Sequence, residues 1–108
     1  DIDDIYRKID VLVLPSIEND PFGLVVAEAM LRGIPVICTT ACGISKYLKS
    51  GVSGLVAKAG STVALHDAIE MMQDPETRQL LSENGRMLAE KHFTVERMVD
   101  QYEELFSV

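Results

Sequence analysis

Residues 11–30 read VLVLPSIENDPFGLVVAEAM, an apolar run, a polar turn and a second apolar run. The first run, residues 11–14, has the composition of a strand buried on both faces of a parallel sheet. The second run ends before Gly33, and a glycine just past a helix end is typical, so residues 24–31 are predicted to be a helix. A strand, a polar turn and a helix in this order aim the free N–H groups of the helix start at an anion. The turn itself carries Asn19, Asp20, Pro21 and Gly23.

Glu28 is the one acidic residue in the predicted helix, whose other residues leave no polar face. Such a helix is expected to be buried nearly all round. A buried carboxylate costs several kcal/mol unless it is paired or accepts hydrogen bonds. Two interpretations follow: an ion pair with Arg32 one turn later, or a carboxylate in a cleft that accepts hydrogen bonds from a polyol ligand. The spacing alone favours the ion pair.

Further short strands are predicted over residues 35–39 and 54–57, the latter near a sheet edge. Strands that alternate with helices indicate an α/β fold of three layers, a short parallel sheet with helices on both faces. The loop 40–43 is expected at the same sheet edge as the turn 15–23. Parallel strands bring their carboxyl ends together, and ligands bind outside those ends.

Helical spacing predicts the elements that flank these strands. Helices are expected over residues 1–10, over residues 44–50, and after a cap at Thr94 near the end of the chain. In the short helix 44–50, Tyr47 and Leu48 are predicted to point inward.

Two further helices have clear start signals. Ser61 or Thr62 caps the first, and Asp74 caps the second. Gly85 is expected to weaken the second helix by about 1 kcal/mol relative to alanine. The predicted inward-facing residues of the two helices are Leu65, Ala68, Ile69, Met72, Leu80, Leu81 and Leu88.

Composition limits the possible functions. The chain has 108 residues, of which 47% are hydrophobic, so it forms one globular unit at most. Its formal charge of −7 and lack of a basic stripe argue against nucleic-acid binding. No apolar run approaches the roughly 20 residues that span a bilayer, and the acidic start of this segment does not have the pattern of a signal peptide, so no membrane contact is predicted for this segment.

The cysteines and histidines do not have the spacing of a metal site. Cys38 is predicted to be a core residue of the second strand. Cys42 lies in the following loop, where a reactive thiol facing the cleft is the less favoured interpretation. His66 and His92 are expected at the surface, without a catalytic role. Free thiols favour a reducing compartment, and the cytoplasm is predicted.

One longer pattern runs in the order Pro-Ser, an acidic residue, Pro-Phe-Gly-Leu-Val-Val and Glu-Ala-Met, then Arg-Gly-Ile-Pro-Val-Ile. This order resembles the signature of the group-one (family four) retaining nucleotide-sugar glycosyltransferases. The resemblance covers residues 10–56 and continues weakly to the C-terminus. It implies the GT-B fold of two Rossmann-like domains. Residues 1–108 would then be a single partial domain, the C-terminal half of the donor-nucleotide-binding domain.

The resemblance also implies a role for each matched residue. The family has two acidic positions with seven residues between them, held here by Asp20 and Glu28; the first is usually Glu. Asp20 would be the catalytic position and accept hydrogen bonds from the donor sugar, and Glu28 would accept them from the ribose. The donor is a nucleotide-diphosphate sugar, and no metal is required. Backbone N–H groups would bind the sugar edge and the diphosphate at Phe22, Gly23, Leu24 and Val25.

The resemblance further predicts the partners of this chain. The family's domain begins with strands that would pair beside residues 11–14, and an apolar strand at an open edge is an aggregation template. We therefore expect a fragment of a longer enzyme, inactive alone, whose open edge is covered by the rest of the enzyme or by a second copy. The enzyme could also reach the inner face of the membrane through its other parts.

Two other classes of function stay open. A non-catalytic module that binds a sugar nucleotide or serves in assembly would show the same donor-site residues. A receiver-like or flavodoxin-like domain shares the doubly wound fold. The receiver needs an acidic cluster after its first strand, whereas Asp10 precedes the strand here. The flavodoxin needs aromatic loops, whereas this chain has three Phe, three Tyr and no Trp.

Overall fold

A computed structural model of the chain describes residues 11–15 and 24–92. Within these residues the three strands form one parallel sheet in the order β1-β2-β3, with β1 at Leu12–Leu14, β2 at Val36–Thr39 and β3 at Leu55–Ala57. The helices are α1 at Leu24–Leu31, α2 at Thr62–Met71 and α3 at Pro75–His92, with a 3-10 helix at Gly43–Tyr47. The predicted helices over residues 1–10 and after Thr94 lie outside the described residues.

The central strand β2 is buried along its whole length, as predicted for residues 35–39. In the register of the sheet, Cys38 lies opposite Leu14 of β1 and opposite Val56 of β3. The prediction that the first strand is buried on both faces is wrong, because all three residues of β1 are only half-buried. In the described part of the chain β1 pairs with β2 alone, so it is an edge strand.

Helices cover both faces of the sheet, as predicted. Side chains alternate along a strand, so Val36 and Cys38 pack with α1 on one face while Ile37 packs with α2 on the other. The long helix α3 contributes to both clusters, with Leu81 on the α2 side and Ala89 on the α1 side. The three-layer α/β architecture is therefore confirmed.

Helix α1 ends at the predicted glycine. Gly33 has a φ of 73°, and its N–H donates to the Met30 carbonyl at 3.0 Å. The Ile34 N–H donates to the Ala29 carbonyl, also at 3.0 Å. This pair of bonds is the Schellman arrangement, in which a left-handed residue satisfies the last carbonyls of a helix.

The burial of α1 is uneven. Val26, Ala27, Ala29 and Met30 are fully buried, whereas Val25 is 49% exposed and Glu28 is half-buried. The prediction that the helix is buried nearly all round is therefore wrong. Residues 25, 28 and 32 share one stripe of the helix surface, since residues three or four apart are neighbours there. The described part of the chain does not fully cover that stripe.

The predicted caps of the two later helices are confirmed. Ser61 Oγ accepts a hydrogen bond from the Ala64 N–H at 3.1 Å. Asp74 accepts from the Glu76 N–H at 3.4 Å and from the Thr77 hydroxyl at 2.9 Å. Both side chains satisfy N–H groups that a helix start leaves without partners, which is why these residue types mark helix boundaries.

Three residues predicted to face inward are largely exposed: Ile69 at 42%, Tyr47 at 46% and Leu80 at 52%. Leu65, Ala68, Met72 and Leu81 do face the core, as predicted. Ile69 and Leu80 each lie beside a buried residue at the margin of the apolar stripe, where the spacing does not decide burial. Tyr47 lies at the surface with its ring centroid 6.3 Å from that of His92.

Gly85 marks a close approach between α3 and the turn before β3. A Cβ atom at this position would lie 2.9 Å from the Ser53 carbonyl oxygen and 3.7 Å from Met30 Cε. The neighbouring Asn84 donates a side-chain hydrogen bond to the Val52 carbonyl at 2.9 Å. Gly85 therefore lets the helix backbone touch the turn, and its effect is not the simple weakening predicted from helix propensity.

We expect Gly85→Ala to destabilise the chain by about 1–3 kcal/mol, because the added methyl group meets a backbone carbonyl that has little room to move. Helix propensity alone predicts the opposite sign, a gain of about 1 kcal/mol. Urea unfolding followed by circular dichroism measures the difference. Met87→Ala, at a position 67% exposed on the same helix, is the control and should change stability little. A stabilised Gly85→Ala variant would contradict the close approach.

Candidate functional site

The carboxyl ends of the three strands meet at one edge of the sheet. Pro15 follows β1, Thr39 ends β2 and Lys58 follows β3. Hydrogen bonds join the last two strand ends, with the Thr40 N–H donating to the Ala57 carbonyl and the Ala59 N–H donating to Thr40 Oγ1, each at 3.0 Å. In doubly wound α/β folds this is the edge at which ligands bind.

A cavity of about 180 Å³ opens at this edge, on the face that α2 covers. Lys58 is the basic residue among its described lining residues, and the start of α2 also borders it, where Ser61 is already engaged as the helix cap. Thr39 is buried, and its Oγ1 accepts a hydrogen bond from the Ala41 N–H at 3.3 Å. The lining residues are Pro15, Thr39, Lys58, Gly60, Ser61, Thr62 and Leu65.

This cavity was not predicted from the sequence. The loop 40–43 was expected at the sheet edge, whereas residues 58–62 were considered only as the approach to a helix cap. The same rule, that parallel strands end at one edge, applies equally to the residues after the third strand. That rule was the available signal for Lys58.

The predicted site residues Val25 and Glu28 lie together on the partly exposed stripe of α1. Half-burial lowers the cost of holding a charged carboxylate at position 28, since part of its hydration is kept. Arg32, one turn later, directs Nη1 to the Glu28 backbone carbonyl at 3.4 Å. The Arg32 guanidinium therefore contacts residue 28, the partner that the ion-pair interpretation assigns to it, through the backbone carbonyl of that residue.

Other predicted site residues are less fully described. Asp20, Phe22 and Gly23 lie outside the described residues, and Leu24 is the first residue of α1. Helix α1 therefore begins directly after the segment 16–23, which itself follows the carboxyl end of β1. The structure brings Val25 and Glu28 together on one helix, and their relation to Asp20 stays a prediction.

The two cysteines are part of the core. Cys38 and Cys42 are free thiols with exposed fractions of 0% and 1%. Cys42 Sγ points back across the sheet edge and donates to the Leu14 carbonyl at 4.0 Å. The prediction for Cys38 is confirmed, and the alternative of a cleft-facing reactive Cys42 is wrong, because its thiol packs against Leu14 and the start of the 3-10 helix.

Burial away from water, and secondarily the neighbouring Cys42 thiol, raises the pKa of Cys38 from its ordinary value of 9.0 to about 12. A thiol with a raised pKa stays protonated at neutral pH and is a poor nucleophile. Cys38 is therefore suited to packing rather than to covalent chemistry.

None of the described helices combines the length and the apolar character that crossing a bilayer requires.

The fold combines a short parallel sheet with helices on both faces, a helix that starts after the first strand, and a cavity outside the strand ends. These features define a Rossmann-like ligand-binding domain. Residues 1–88 match the family described as glycosyl transferases group 1. The chain belongs to this family, whose members have the GT-B fold.

Relatives and solved structures agree with this assignment. N-acetyl-alpha-D-glucosaminyl L-malate synthase of Bacillus anthracis is 35% identical over 98 residues, which cover 90% of this chain and 26% of that protein. The structure of Anabaena HepE in complex with UDP and glucose superposes with a TM-score of 0.78 at 28% identity, covering 95% of this chain and 28% of that one. The C-terminal domain of the group 1 protein LpcC from Francisella tularensis superposes with a TM-score of 0.78 at 26% identity, covering 88% of this chain and 49% of that one.

The chain therefore spans about a quarter of the length of the full-length relatives it matches.

We expect the free energy of unfolding to fall as the pH rises from about 9 towards about 12, because the unfolded Cys38 loses its proton first and the folded one keeps it. This contribution of Cys38 is fully present below pH 9. Urea unfolding of the chain and of Cys38→Ala, each at about pH 8 and about pH 10.5, isolates it from other titrations. The variant should lose less stability between the two pH values than the parent does, and an equal loss would contradict the raised pKa.

Proposed function

We propose that this chain is the donor-site segment of a glycosyltransferase that transfers a sugar from a nucleotide-diphosphate sugar to an acceptor. Family membership supports the reaction class. The observation that carries the site is the position of Glu28, half-buried on the accessible stripe of a helix that starts at the carboxyl edge of the sheet. The similarity to HepE in complex with UDP and glucose supports a nucleotide sugar as the ligand.

The residue roles in the proposal are those that the resemblance to the family implies. Glu28 accepts hydrogen bonds from the ribose hydroxyls of the donor, since an ionised carboxylate can only accept. The N–H groups at residues 22–25 bind the sugar edge and the diphosphate, because a helix start carries unpaired donors and partial positive charge. Asp20 accepts from the hydroxyls of the transferred sugar and is the catalytic position.

The proposal assigns no metal to the donor site. Transfer releases a nucleoside diphosphate, and the developing negative charge meets the positive end of α1. Preorganised N–H groups can stabilise such charge in the transition state without a cation. Basic residues from another part of the enzyme complete the binding of the diphosphate.

The edge strand β1 supports a second part of the proposal, the partner of this chain. Leu12, Val13 and Leu14 are apolar and only half-buried, and one side of β1 pairs with β2. The rest of the enzyme, or a second copy, covers this edge and removes the aggregation risk of an unpaired strand. The cytoplasm is the proposed compartment, in line with the two free thiols.

We expect Glu28→Gln, in the enzyme that contains this chain, to weaken binding of the nucleotide sugar by about 10- to 100-fold. Glutamine keeps an accepting oxygen but loses the charge, which weakens each hydrogen bond by about 1–1.5 kcal/mol. Thermal shift and calorimetric titration with UDP-, GDP- and ADP-sugars measure the change. Glu90→Gln, at an exposed carboxylate paired with Arg86 on α3, is the matched control and should bind as the parent does. Unchanged binding by Glu28→Gln would refute the ribose role.

We expect Asp20→Asn to lower kcat by about 100-fold or more while the affinity for the nucleotide changes little, because the lost interaction acts mainly on the sugar in the transition state.

Treatment with EDTA should leave the turnover of the parent enzyme intact. Loss of turnover in EDTA, restored by added Mg²⁺, would overturn metal independence. Binding of nucleotide sugars without any turnover in the intact parent would favour the non-catalytic module.

A further inference from the structure

A histidine and two carboxylates form a compact group on the outer face of α2, outside the donor site. His66 Nε2 lies 3.6 Å from Glu70 Oε1, and His66 Nδ1 lies 3.8 Å from Asp67 Oδ1. One ligand atom from each of the three residues falls within 4.8 Å of the others. Each of these side chains is more than 60% exposed, so an ion has free access to them.

We propose that His66 and Glu70 form a chelating surface site for Zn²⁺, with Asp67 as a positioning residue for the imidazole. Zn²⁺ binds imidazole nitrogen and carboxylate oxygen at about 2.0–2.2 Å, in tetrahedral geometry. Two such bonds hold their ligand atoms roughly 3.4 Å apart. The separation of 3.6 Å between Nε2 and Oε1 therefore accommodates the ion with only a small adjustment of the side chains.

Asp67 lies on the side of the imidazole that the ion does not use. Histidines that bind a metal usually donate their other ring N–H to a carboxylate, which fixes the tautomer and makes the binding nitrogen more basic. A Zn²⁺ ion on Nε2 leaves the ring proton on Nδ1. The Asp67 carboxylate oxygen is 3.8 Å from Nδ1, so a small rotation of its side chain would let it accept that proton in a hydrogen bond.

The surrounding charges favour a cation at this position. Helix α2 contains no Lys or Arg, and in the described part of the chain the ion pairs of Asp67 and Glu70 are those with His66. The buried thiols of Cys38 and Cys42 are not available as competing ligands in the folded chain. Imidazole and carboxylate ligands together suit Zn²⁺ better than Mg²⁺ or Ca²⁺, which prefer oxygen alone.

Isothermal titration of the 108-residue chain with ZnCl₂ tests the site, and circular dichroism verifies that each variant is folded. The parent should bind Zn²⁺ saturably, with one ion at this site. His66→Ala and Glu70→Gln should each lose that binding, and Asp67→Asn should weaken it by about tenfold. Glu90→Gln, which removes an exposed carboxylate of α3 at the same spacing from Arg86, should bind as the parent does.

A spectroscopic readout separates direct ligation from a general charge effect. In the proton NMR spectrum, Zn²⁺ should shift the ring protons of His66 and leave those of His92 in place, while Mg²⁺ at the same concentration should shift neither. Absence of saturable Zn²⁺ binding at about millimolar concentration, or binding that survives in both His66→Ala and Glu70→Gln, would overturn the proposal. The site does not depend on the proposed transferase function, and either can fail without the other.

Discussion

The parallel pairing of β1, β2 and β3 is the constraint on which the rest of the structure depends. Because all three strands run in the same direction, the chain must return across a face of the sheet after β1, and α1 is the element that does so. The same pairing brings Pro15, Thr39 and Lys58 to one edge. The backbone bond from the Thr40 N–H to the Ala57 carbonyl extends the ladder past the strands and fixes that edge.

The uneven burial of α1 reconciles two requirements that the proposed donor site places on this helix. Val26, Ala27 and Met30 are fully buried, and this packing fixes the position of the helix against the sheet. Val25 and Glu28 lie on a stripe that stays accessible. A fully buried carboxylate would pay most of its desolvation cost, whereas a half-buried one keeps part of its hydration until a ligand replaces it. One side of the helix is therefore fixed by packing, and the other side stays accessible to a ligand in the proposed site.

Local chemistry explains which features could be predicted from the sequence. The strand β2, the turn at Gly33 and the caps at Ser61 and Asp74 depend on residues close together in the chain, and all were predicted. The exposure of Val25, Ile69 and Leu80 was not. The spacing of apolar residues defines the centre of a helix face, but its margins depend on which neighbours cover them.

Contacts between distant parts of the chain account for the remaining differences. Cys42 is buried because its thiol reaches Leu14, 28 residues earlier. The cavity at the sheet edge is lined from three separate places in the sequence. The roles of Asp20 and Glu28 came from a resemblance, since the spacing of Glu28 and Arg32 alone favoured an ion pair. For Cys42 and for the cavity, the deciding information is three-dimensional.

Helix α3 shows why the folded unit extends well beyond the residues around α1. Gly85 brings the α3 backbone to within reach of both Ser53 and Met30, and Ala89 belongs to the same buried cluster as Met30. Met30 lies in α1, on the side opposite the accessible stripe. A chain that ended before α3 would leave Met30 and Met72 more exposed to water, and burial of such side chains contributes about 1.5–3 kcal/mol each. The packing that fixes the position of Glu28 therefore includes residues about 55–60 positions later in the chain. The sequence of residues 15–30 alone does not show this packing.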